Sequence, residues 1–293
     1  MKDRRALQID HETPVSIHSA LPLDRRAVPD RRIVEREGVA SASHLVQRNN
    51  LLHHGIAIDH PTIILVRSGV KRLFWRDVAL SAGRGEVVAI PAGFIADINN
   101  DPADDPDYDA ISVMLHRDTV NSPLPNSGML EEPRRLADAG GAIAEAIEAA
   151  RAALIDNARI PDAVARHRVA ELLLWIERAG FHFPQGRRPN MAMRVREIIG
   201  ADIARAWSAS EIAARLATSE ATMRRRLAAE GVTLTKVMTD LRLLRALTLL
   251  QATDDPVSSI AFAVGYESQS GFASSFRERF GHAPSTVRVR KAD

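Results

Sequence analysis

A repeated pattern of apolar residues near the C-terminus constrains the fold of this chain more than any other sequence feature. The apolar positions of residues 212–227 recur in residues 260–276 at an offset of 48 or 49 residues. The recurring residues are Ile212, Ala213, Leu216, Met223 and Leu227 in the first copy and Ile260, Ala261, Val264, Phe272 and Phe276 in the second. The spacing predicts two short helices in each copy, and the one-residue difference falls in the turn between them. A duplicated pair of helices joined by a tight turn indicates two helix-turn-helix units.

Capping signals in the sequence mark where these helices begin and end. The segment Ser208–Glu211 has the S-x-x-E spacing of a capping box, which predicts a helix start. Asp255 and Pro256 predict another start, with the aspartate as N-cap and the proline at the first helical position. Gly265 is expected to end that helix, and Ser268 to cap the next one.

Three phenylalanines form one stripe on the last of these helices. Phe272, Phe276 and Phe280 are four residues apart, so they share a helix face that is expected to pack into the core. The opposite face is polar and basic. An anchored inner face with a polar outer face is the pattern of a DNA-recognition helix.

A single long helix is predicted between the two units, over Leu234–Thr253. About twenty residues at about 1.5 Å each give a length of roughly 30 Å. Successive major-groove segments on one face of DNA are about 34–36 Å apart. A stiff helix of this length could therefore present both units to adjacent turns of the duplex.

The charge of the chain is distributed unevenly. From Arg187 to the C-terminus there are 17 Lys and Arg against 11 Asp and Glu, although the whole chain has a net charge of only +2. A basic C-terminal region beside a mildly acidic remainder favours a polyanion as the partner of the C-terminal region.

These features resemble the DNA-binding domain of AraC/XylS-type bacterial transcription regulators. The resemblance extends from about Arg194 to Arg288, about a third of the chain, and rests on the segment SIAFAVGYESQSGFASSFRERFGHAPSTVR. The matching positions are Ile260, Ala261, Gly265, Tyr266, Ser268, Phe272, Phe276, Phe280, Gly281 and Pro284. Val287 departs from the pattern, because the family usually has there a tyrosine that helps pack the C-terminal turn. The resemblance implies a sequence-specific regulator, with activation as the expected sign, that binds double-stranded promoter DNA, contacts RNA polymerase and forms a homodimer.

The resemblance also implies which residues contact DNA. Base-contacting positions fall on Ala221, Thr222, Arg224 and Arg225 in the first unit, and on Gln269, Ser270, Gly271 and Ser274 in the second. Arg277 and Arg279 are expected to contact phosphates. Because arginine can pair bidentately with guanine, the arginine-rich helix of the first unit is predicted to contribute more to sequence choice.

The N-terminal half has a different pattern. From Thr62 onward, short runs of β-branched residues alternate with glycine, proline and aspartate, which predicts an antiparallel sheet or barrel. The segment GRGEVVAIPAGFIADINN, residues 83–100, resembles the second cupin motif, with Ala96 in place of the metal-binding histidine. This resemblance implies a cupin-like β-barrel whose metal site is absent.

The other histidines of this half do not restore a metal site. His53, His54 and His60 lack ligand spacing and are interpreted as surface residues of a loop. The sequence has neither a Walker-type loop nor a G-x-S-x-G elbow. We expect no enzyme activity, no catalytic residue, no metal and no cofactor. A cupin-type enzyme fused to a DNA-binding domain is the remote alternative.

Three roles stay open for the barrel. It could bind a small-molecule effector, contact a regulatory protein, or only dimerise, which would leave the regulator constitutive. Phe74, Trp75 and Phe94 are candidate effector-lining residues, with plain core positions as the alternative. Two amphipathic helices are predicted at residues 136–155 and 162–180. The helical region from Glu132 to Gly180 is the candidate dimer surface, although the same face could pack on its own barrel.

The sequence as a whole predicts an α+β protein: an N-terminal cupin-like β-barrel with trailing helices, followed by an all-α domain with two helix-turn-helix units joined by a long helix. The predicted divisions are an arm at 1–35, a sensor domain at 36–125, a helical dimerisation or linker region at 126–183 and a DNA-binding domain at 190–293. The basic segment Arg25–Arg32 of the arm could gate a pocket, touch DNA or be disordered. No apolar run approaches twenty residues, the N-terminal segment has no secretory signal and there is no cysteine, so a cytoplasmic protein without a membrane partner is expected.

Overall fold

The computed structural model describes residues 33–116, 127–137, 140–184 and 189–287. The basic segment Arg25–Arg32 and most of the predicted arm lie outside the described residues. The last three residues of that arm, 33–35, were assigned wrongly, because Ile33–Arg36 form a strand that pairs antiparallel with Ala40–Ser43.

The bounds of the strands and helices are as follows. The strands are β1 (Ile33–Arg36), β2 (Ala40–Gln47), β3 (Leu51–Ile58), β4 (Thr62–Ser68), β5 (Val70–Trp75), β6 (Val78–Ala82), β7 (Val87–Ile90), β8 (Phe94–Asp101), β9 (Tyr108–Leu115), β10 (Gly128–Met129), β11 (Arg134–Leu136) and β12 (Phe181–His182). The helices are α1 (Ala142–Ile155), α2 (Asp162–Arg178), α3 (Met191–Gly200), α4 (Ala209–Arg215), α5 (Glu220–Ala229), α6 (Leu234–Ala252), α7 (Val257–Ala263), α8 (Gln269–Phe280) and α9 (Pro284–Val287).

The strands of the N-terminal half form two stacked antiparallel sheets. One has the order β1-β2-β9-β4-β7-β11 and the other the order β3-β8-β5-β6. Alternate residues of β4 face opposite sides, as the two-residue period of a strand requires. Ile64 and Val66 meet Leu73 and Trp75 between the sheets. The α+β class is confirmed, although the strands form two sheets and not the closed barrel that was predicted.

Helices α1 and α2 cover the outer face of the six-stranded sheet, where Ile63 and Leu65 belong to their core. The first of these helices was predicted to begin at Leu136. It begins at Ala142 because Leu136 ends β11, and Gly140 and Gly141 have φ angles of 91° and 79°, which a helix does not accommodate.

Arg36 fastens the two helices to β1. Its guanidinium donates to Asp162 Oδ1 at 2.6 Å at the start of α2 and to the Ala153 carbonyl at 2.7 Å near the end of α1. The apolar stripe of α2, including Leu172 and Ile176, packs on this sheet, whereas Leu174 is 53% exposed. Most of the apolar surface that was considered for a dimer therefore packs within the chain itself.

The C-terminal helices have two separate cores. Helices α3, α4 and α5 enclose one core with the first half of α6. The second half of α6 joins α7 and α8 in a core that continues into the space between the two sheets. The described helices include none that is both long enough and apolar enough to cross a membrane.

Candidate nucleic-acid interface

The first helix-turn-helix unit consists of α4 and α5. The capping box predicted at its start is confirmed, because the Ser208 side chain accepts from the Glu211 backbone N–H while the Glu211 carboxylate accepts from the Ser208 N–H at 2.9 Å. The hydrogen bonds that the Glu211 carboxylate accepts from Ser208, together with one from Arg205, lower the pKa of Glu211 to about 2. Ser219 caps α5, and Met223 and Leu227 are fully buried beneath it.

The second unit consists of α7 and α8. Ser268 caps α8 as predicted, by accepting from the Gly271 N–H at 3.2 Å. The assignment of Asp255 as N-cap of α7 was wrong. Pro256, with ψ of 140°, is still extended, so it occupies the cap position and the helix begins at Val257 without a side-chain cap.

The phenylalanine stripe of α8 is buried, as predicted. Phe272 and Phe276 are fully buried and Phe280 is 5% exposed. Neighbouring ring centroids are 5.6 Å and 4.6 Å apart. Val287 is also fully buried, so the C-terminal turn packs without the tyrosine of the family. The stripe orients the opposite face of α8 toward solvent.

The predicted base-contacting residues of the first unit lie on the outer face of α5. Ala221, Arg224 and Arg225 are exposed, and Arg224 lies 3.8 Å from the Glu220 carboxylate. Thr222 is half-buried, and its hydroxyl accepts a hydrogen bond from Ser219 Oγ at 3.0 Å. Within this unit the two exposed arginines have the greatest reach toward base edges.

The predicted base-contacting residues of the second unit lie on the first turns of α8. Gln269, Ser270, Gly271 and Ser274 are all exposed. A shallow open groove on this face is lined by Ser270, Ala273, Ser274, Arg277 and Glu278. Its side chains are short apart from those at 277 and 278, so the face can approach a nucleic-acid backbone closely.

The two arginines of α8 that were predicted to contact phosphates lie in different surroundings. Arg277 is exposed on the groove, and in the part of the chain that the structure describes its guanidinium makes no hydrogen bond or ion pair. Arg279 is turned away from the groove. Its guanidinium donates to Asp240 at 3.0 Å, to the His54 carbonyl at 2.7 Å and to the Gly55 carbonyl at 2.8 Å. Its donors are engaged by α6 and β3, which does not favour the phosphate role predicted for Arg279.

Helix α6 separates the two units. Its 19 residues correspond to about 28 Å, somewhat less than the spacing of adjacent major grooves. Leu234 and Val237 at its start belong to the core of the first unit, and Leu247 and Leu250 near its end belong to that of the second. Each unit is therefore fixed to one end of the same helix.

The predicted effector-lining residues are only partly brought together. Trp75 is 9% exposed between the sheets and packs edge-to-face on Phe94, with ring centroids 5.5 Å apart. Phe74 is 36% exposed on the opposite face of β5. Ala96 is buried in β8, and the described residues contain no group of three His, Asp or Glu side chains arranged to hold a metal.

Sequence reasoning missed a buried polar cluster at one end of the space between the sheets. Lys71 is 3% exposed, and its Nζ donates to Asn100 Oδ1 at 2.9 Å and lies 5.9 Å from the centroid of the Tyr108 ring. Burial lowers the pKa of Lys71 to about 7. Gln47 donates to the Asn100 carbonyl and accepts from Gln251 of α6 at 2.6 Å. The alternation of VKRLFW could have revealed the lysine, because it shares its face with the leucine and the tryptophan.

The assignment of His53 as a surface loop residue was wrong. It lies in β3, is 1% exposed, and packs against the rings of Phe280 and His282. A bulge follows it, at which Gly55 has a φ of 59°, so the strand turns both His53 and Ile56 inward. His54 is also part of β3, but it is exposed as expected, with its Nδ1 2.8 Å from Asp97.

Comparison with known proteins identifies the C-terminal domain. The model of the helix-turn-helix domain family matches residues 212–290. The HTH-type transcriptional regulator GadX of Escherichia coli is 32% identical over 105 residues, 36% of this chain and 38% of GadX. The transcriptional regulator SirC of Salmonella typhimurium is 35% identical over 91 residues, 31% of each chain. The C-terminal domain is an AraC-type DNA-binding domain. The matched region spans about a third of the length of these relatives, so they identify the AraC-type domain alone.

Solved structures extend the likeness beyond the C-terminal domain. The apo form of a ToxT variant from Vibrio cholerae has a TM-score of 0.60 at 16% identity, over 86% of this chain and 97% of ToxT. Wild-type ToxT bound to an unsaturated fatty acid has a TM-score of 0.59, also at 16% identity, over 86% of this chain and 96% of ToxT. The sheet-rich region and the AraC-type domain thus share the fold of ToxT.

Proposed function

We propose that this protein is a sequence-specific transcription regulator whose sheet-rich region controls an AraC-type domain. The observation that supports this most strongly is the placement of two helix-turn-helix units at opposite ends of α6, each with a solvent-exposed recognition helix. Promoter DNA is the partner that fits two such helices, and RNA polymerase and a second copy of the chain are the further partners proposed. Activation is the proposed sign of regulation, and the cytoplasm the proposed location.

The proposed domain division follows the sequence prediction. Residues 36–125 act as the sensor, 126–183 as the helical region that connects and dimerises, and 190–293 as the DNA-binding domain. The candidate DNA contacts are the predicted residues that are exposed: Ala221, Arg224 and Arg225 on α5, and Gln269, Ser270, Gly271, Ser274 and Arg277 on α8. We assign the larger share of base selection to α5, because its exposed Arg224 and Arg225 can each pair bidentately with guanine. The short side chains of α8 favour positioning on the backbone.

An organic acid is the effector class that the sheet-rich region supports best. Lys71 is a buried cation whose hydrogen-bond partner is a neutral amide, and the nearby Tyr108 hydroxyl has no hydrogen-bond partner among the described residues. A carboxylate that entered this space would pair with the lysine and neutralise its buried positive charge. The unsaturated fatty acid named for ToxT is a ligand of this chemistry. Control by a protein partner, or constitutive activity, is the alternative.

The DNA-binding proposal is tested with Arg225→Ala. A preferred operator is first selected from random-sequence DNA with the wild-type protein, and affinities for this operator and for an unrelated duplex are then measured by fluorescence anisotropy. The variant should lose roughly 1–3 kcal/mol of operator binding and little of its non-specific binding. Arg226→Ala, one position further along the same helix, is the matched control. Failure to select any operator would contradict the proposed function, and equal losses in the two variants would remove Arg225 from the base-contacting set.

A further inference from the structure

Beside the apolar core that it shares with the sheets, the second helix-turn-helix unit touches the sheet-rich region through a small aromatic contact, here called the His53 contact. It comprises His53 of β3, Phe280 at the end of α8 and His282 just after it. The His53 ring packs edge-on against Phe280 at 5.5 Å and against His282 at 5.3 Å between centroids. His53 is 1% exposed and Phe280 is 5% exposed, so the contact excludes water.

Both ring nitrogens of His53 lack a hydrogen-bond partner among the described residues. A buried neutral imidazole without partners already has a cost, and a buried imidazolium without partners would have a much larger one. The contact therefore requires an uncharged His53.

The charged groups around this ring oppose a further positive charge. Burial is the largest cause that lowers the pKa of His53, to about 3, and the smaller causes are His282 after α8, Lys71 on β5, Arg279 on α8 and His54 on β3.

The carboxylates on the neighbouring elements already have other partners. Asp97 of β8 accepts from His54 at 2.8 Å and from the Gly55 N–H at 2.7 Å. Asp240 of α6 pairs with Arg279 at 3.0 Å and with Lys236 at 3.5 Å. A proton on His53 would find no counter-ion in these surroundings.

We propose that the His53 contact is an acid-sensitive switch that releases the second helix-turn-helix unit from the sheet-rich region when His53 is protonated. Release would also separate Arg279 from the two carbonyls of β3 that it binds, and α8 could then change its orientation relative to α5. The switch goes beyond the proposed function, since it requires neither an effector nor DNA.

The direction and size of the effect follow from proton linkage. His53 in the docked state has a depressed pKa, so docking is at full strength above the pKa of the solvated imidazole, about 6.5, and weakens as the pH falls below it. With these two values, the ratio of released to docked molecules rises about tenfold between pH 7.5 and pH 5.5 and about thirtyfold by pH 5.0.

The experiment measures docking directly by single-molecule energy transfer. The chain has no cysteine, so Ile95→Cys on β8 and Glu278→Cys on α8 give a unique pair of dye sites, both exposed. In full-length protein without DNA, the ratio of released to docked molecules should rise about tenfold between pH 7.5 and pH 5.5. A rise of less than threefold, or a released fraction that stays undetectable down to pH 5.0, overturns the proposal. Because no DNA is present, this outcome is independent of the operator experiment.

Two variants remove the titrating group. His53→Gln and His53→Phe should each abolish the pH dependence, and the phenylalanine keeps a ring against Phe280. His54→Gln, at the exposed neighbouring position, should keep the tenfold rise. A tenfold rise in either His53 variant contradicts the proposal. Loss of the rise in His54→Gln also contradicts it, even when both His53 variants are independent of pH. Where both His53 variants are already released at pH 7.5, ¹⁵N NMR titration of wild-type His53 decides: a midpoint well below 6.5 in the docked state supports the switch, and an ordinary midpoint refutes it.

Discussion

Arg277 and Arg279 are two residues apart on the same helix, yet their side chains lie in different surroundings. Arg277 projects from the groove face of α8 and is free to contact a phosphate, whereas Arg279 is bound to Asp240 and to two carbonyls of β3. We predict that replacing each by glutamine affects a different property of the protein. Both changes remove one positive charge, so they are matched controls for each other.

The effect on DNA binding follows from counter-ion release. Each phosphate contact contributes about −0.9 to the slope of log affinity against log salt, so one contact accounts for roughly 3.5-fold of the affinity lost between 50 and 200 mM salt. Arg277→Gln should flatten the slope by about one, and its defect relative to wild type should shrink about 3.5-fold over this salt range. Arg279→Gln should leave the slope unchanged.

The free energy of unfolding should respond to Arg279→Gln and not to Arg277→Gln. The Arg279 side chain is 17% exposed, and its guanidinium makes three hydrogen bonds. Its removal would leave Asp240 without this partner. Its replacement should lower the free energy of unfolding by about 2–4 kcal/mol, and Arg277→Gln should change it by less than about 0.5 kcal/mol. Fluorescence anisotropy over a salt series and urea unfolding provide the two measurements. A flattened salt slope in Arg279→Gln, or an unchanged slope in Arg277→Gln, would refute this assignment.

Two further predictions concern the cores. Phe276→Ala should cost about 3–5 kcal/mol in urea unfolding, because it empties a fully buried site, whereas Phe262→Ala, at a position that is 54% exposed, should cost under about 0.5 kcal/mol. Equal costs would contradict the packing described. Oleate should raise the melting temperature of the wild type but not of Lys71→Met, with Arg72→Met as control. Since the pKa of Lys71 is lowered to about 7 and a carboxylate needs the charged form, oleate affinity should fall as the pH rises above 7. An equal rise in melting temperature in Lys71→Met would exclude that lysine from the site.

Features set by near neighbours in the chain could be predicted from the sequence. The capping box at Ser208, the burial of the phenylalanine stripe and the cap at Ser268 each depend on residues within a few positions of one another. The helix start at Asp255 was misplaced by one residue, because proline is accommodated both as cap and at the first helical position.

Features set by distant contacts could not be predicted in this way. The bulge after His53 breaks the two-residue period that would have placed that side chain, and the residues that bury it come from the other end of the chain. Arg279 differs from Arg277 because Asp240 of α6 and two carbonyls of β3 lie next to it. Periodicity identifies which face of a helix is apolar, but it does not identify which other element approaches the remaining faces.

The two copies of the duplicated unit differ in how independent their cores are. The first unit encloses an apolar core of its own, whereas the core of the second continues between the sheets. A graft of the first unit into another scaffold should therefore keep its packing, while a graft of the second would expose apolar surface that the sheets now cover. During divergence, the first copy is free to change its outer face for new operators. Substitutions in the second copy must satisfy two neighbours at once, which suits it to report the state of the sheet-rich region.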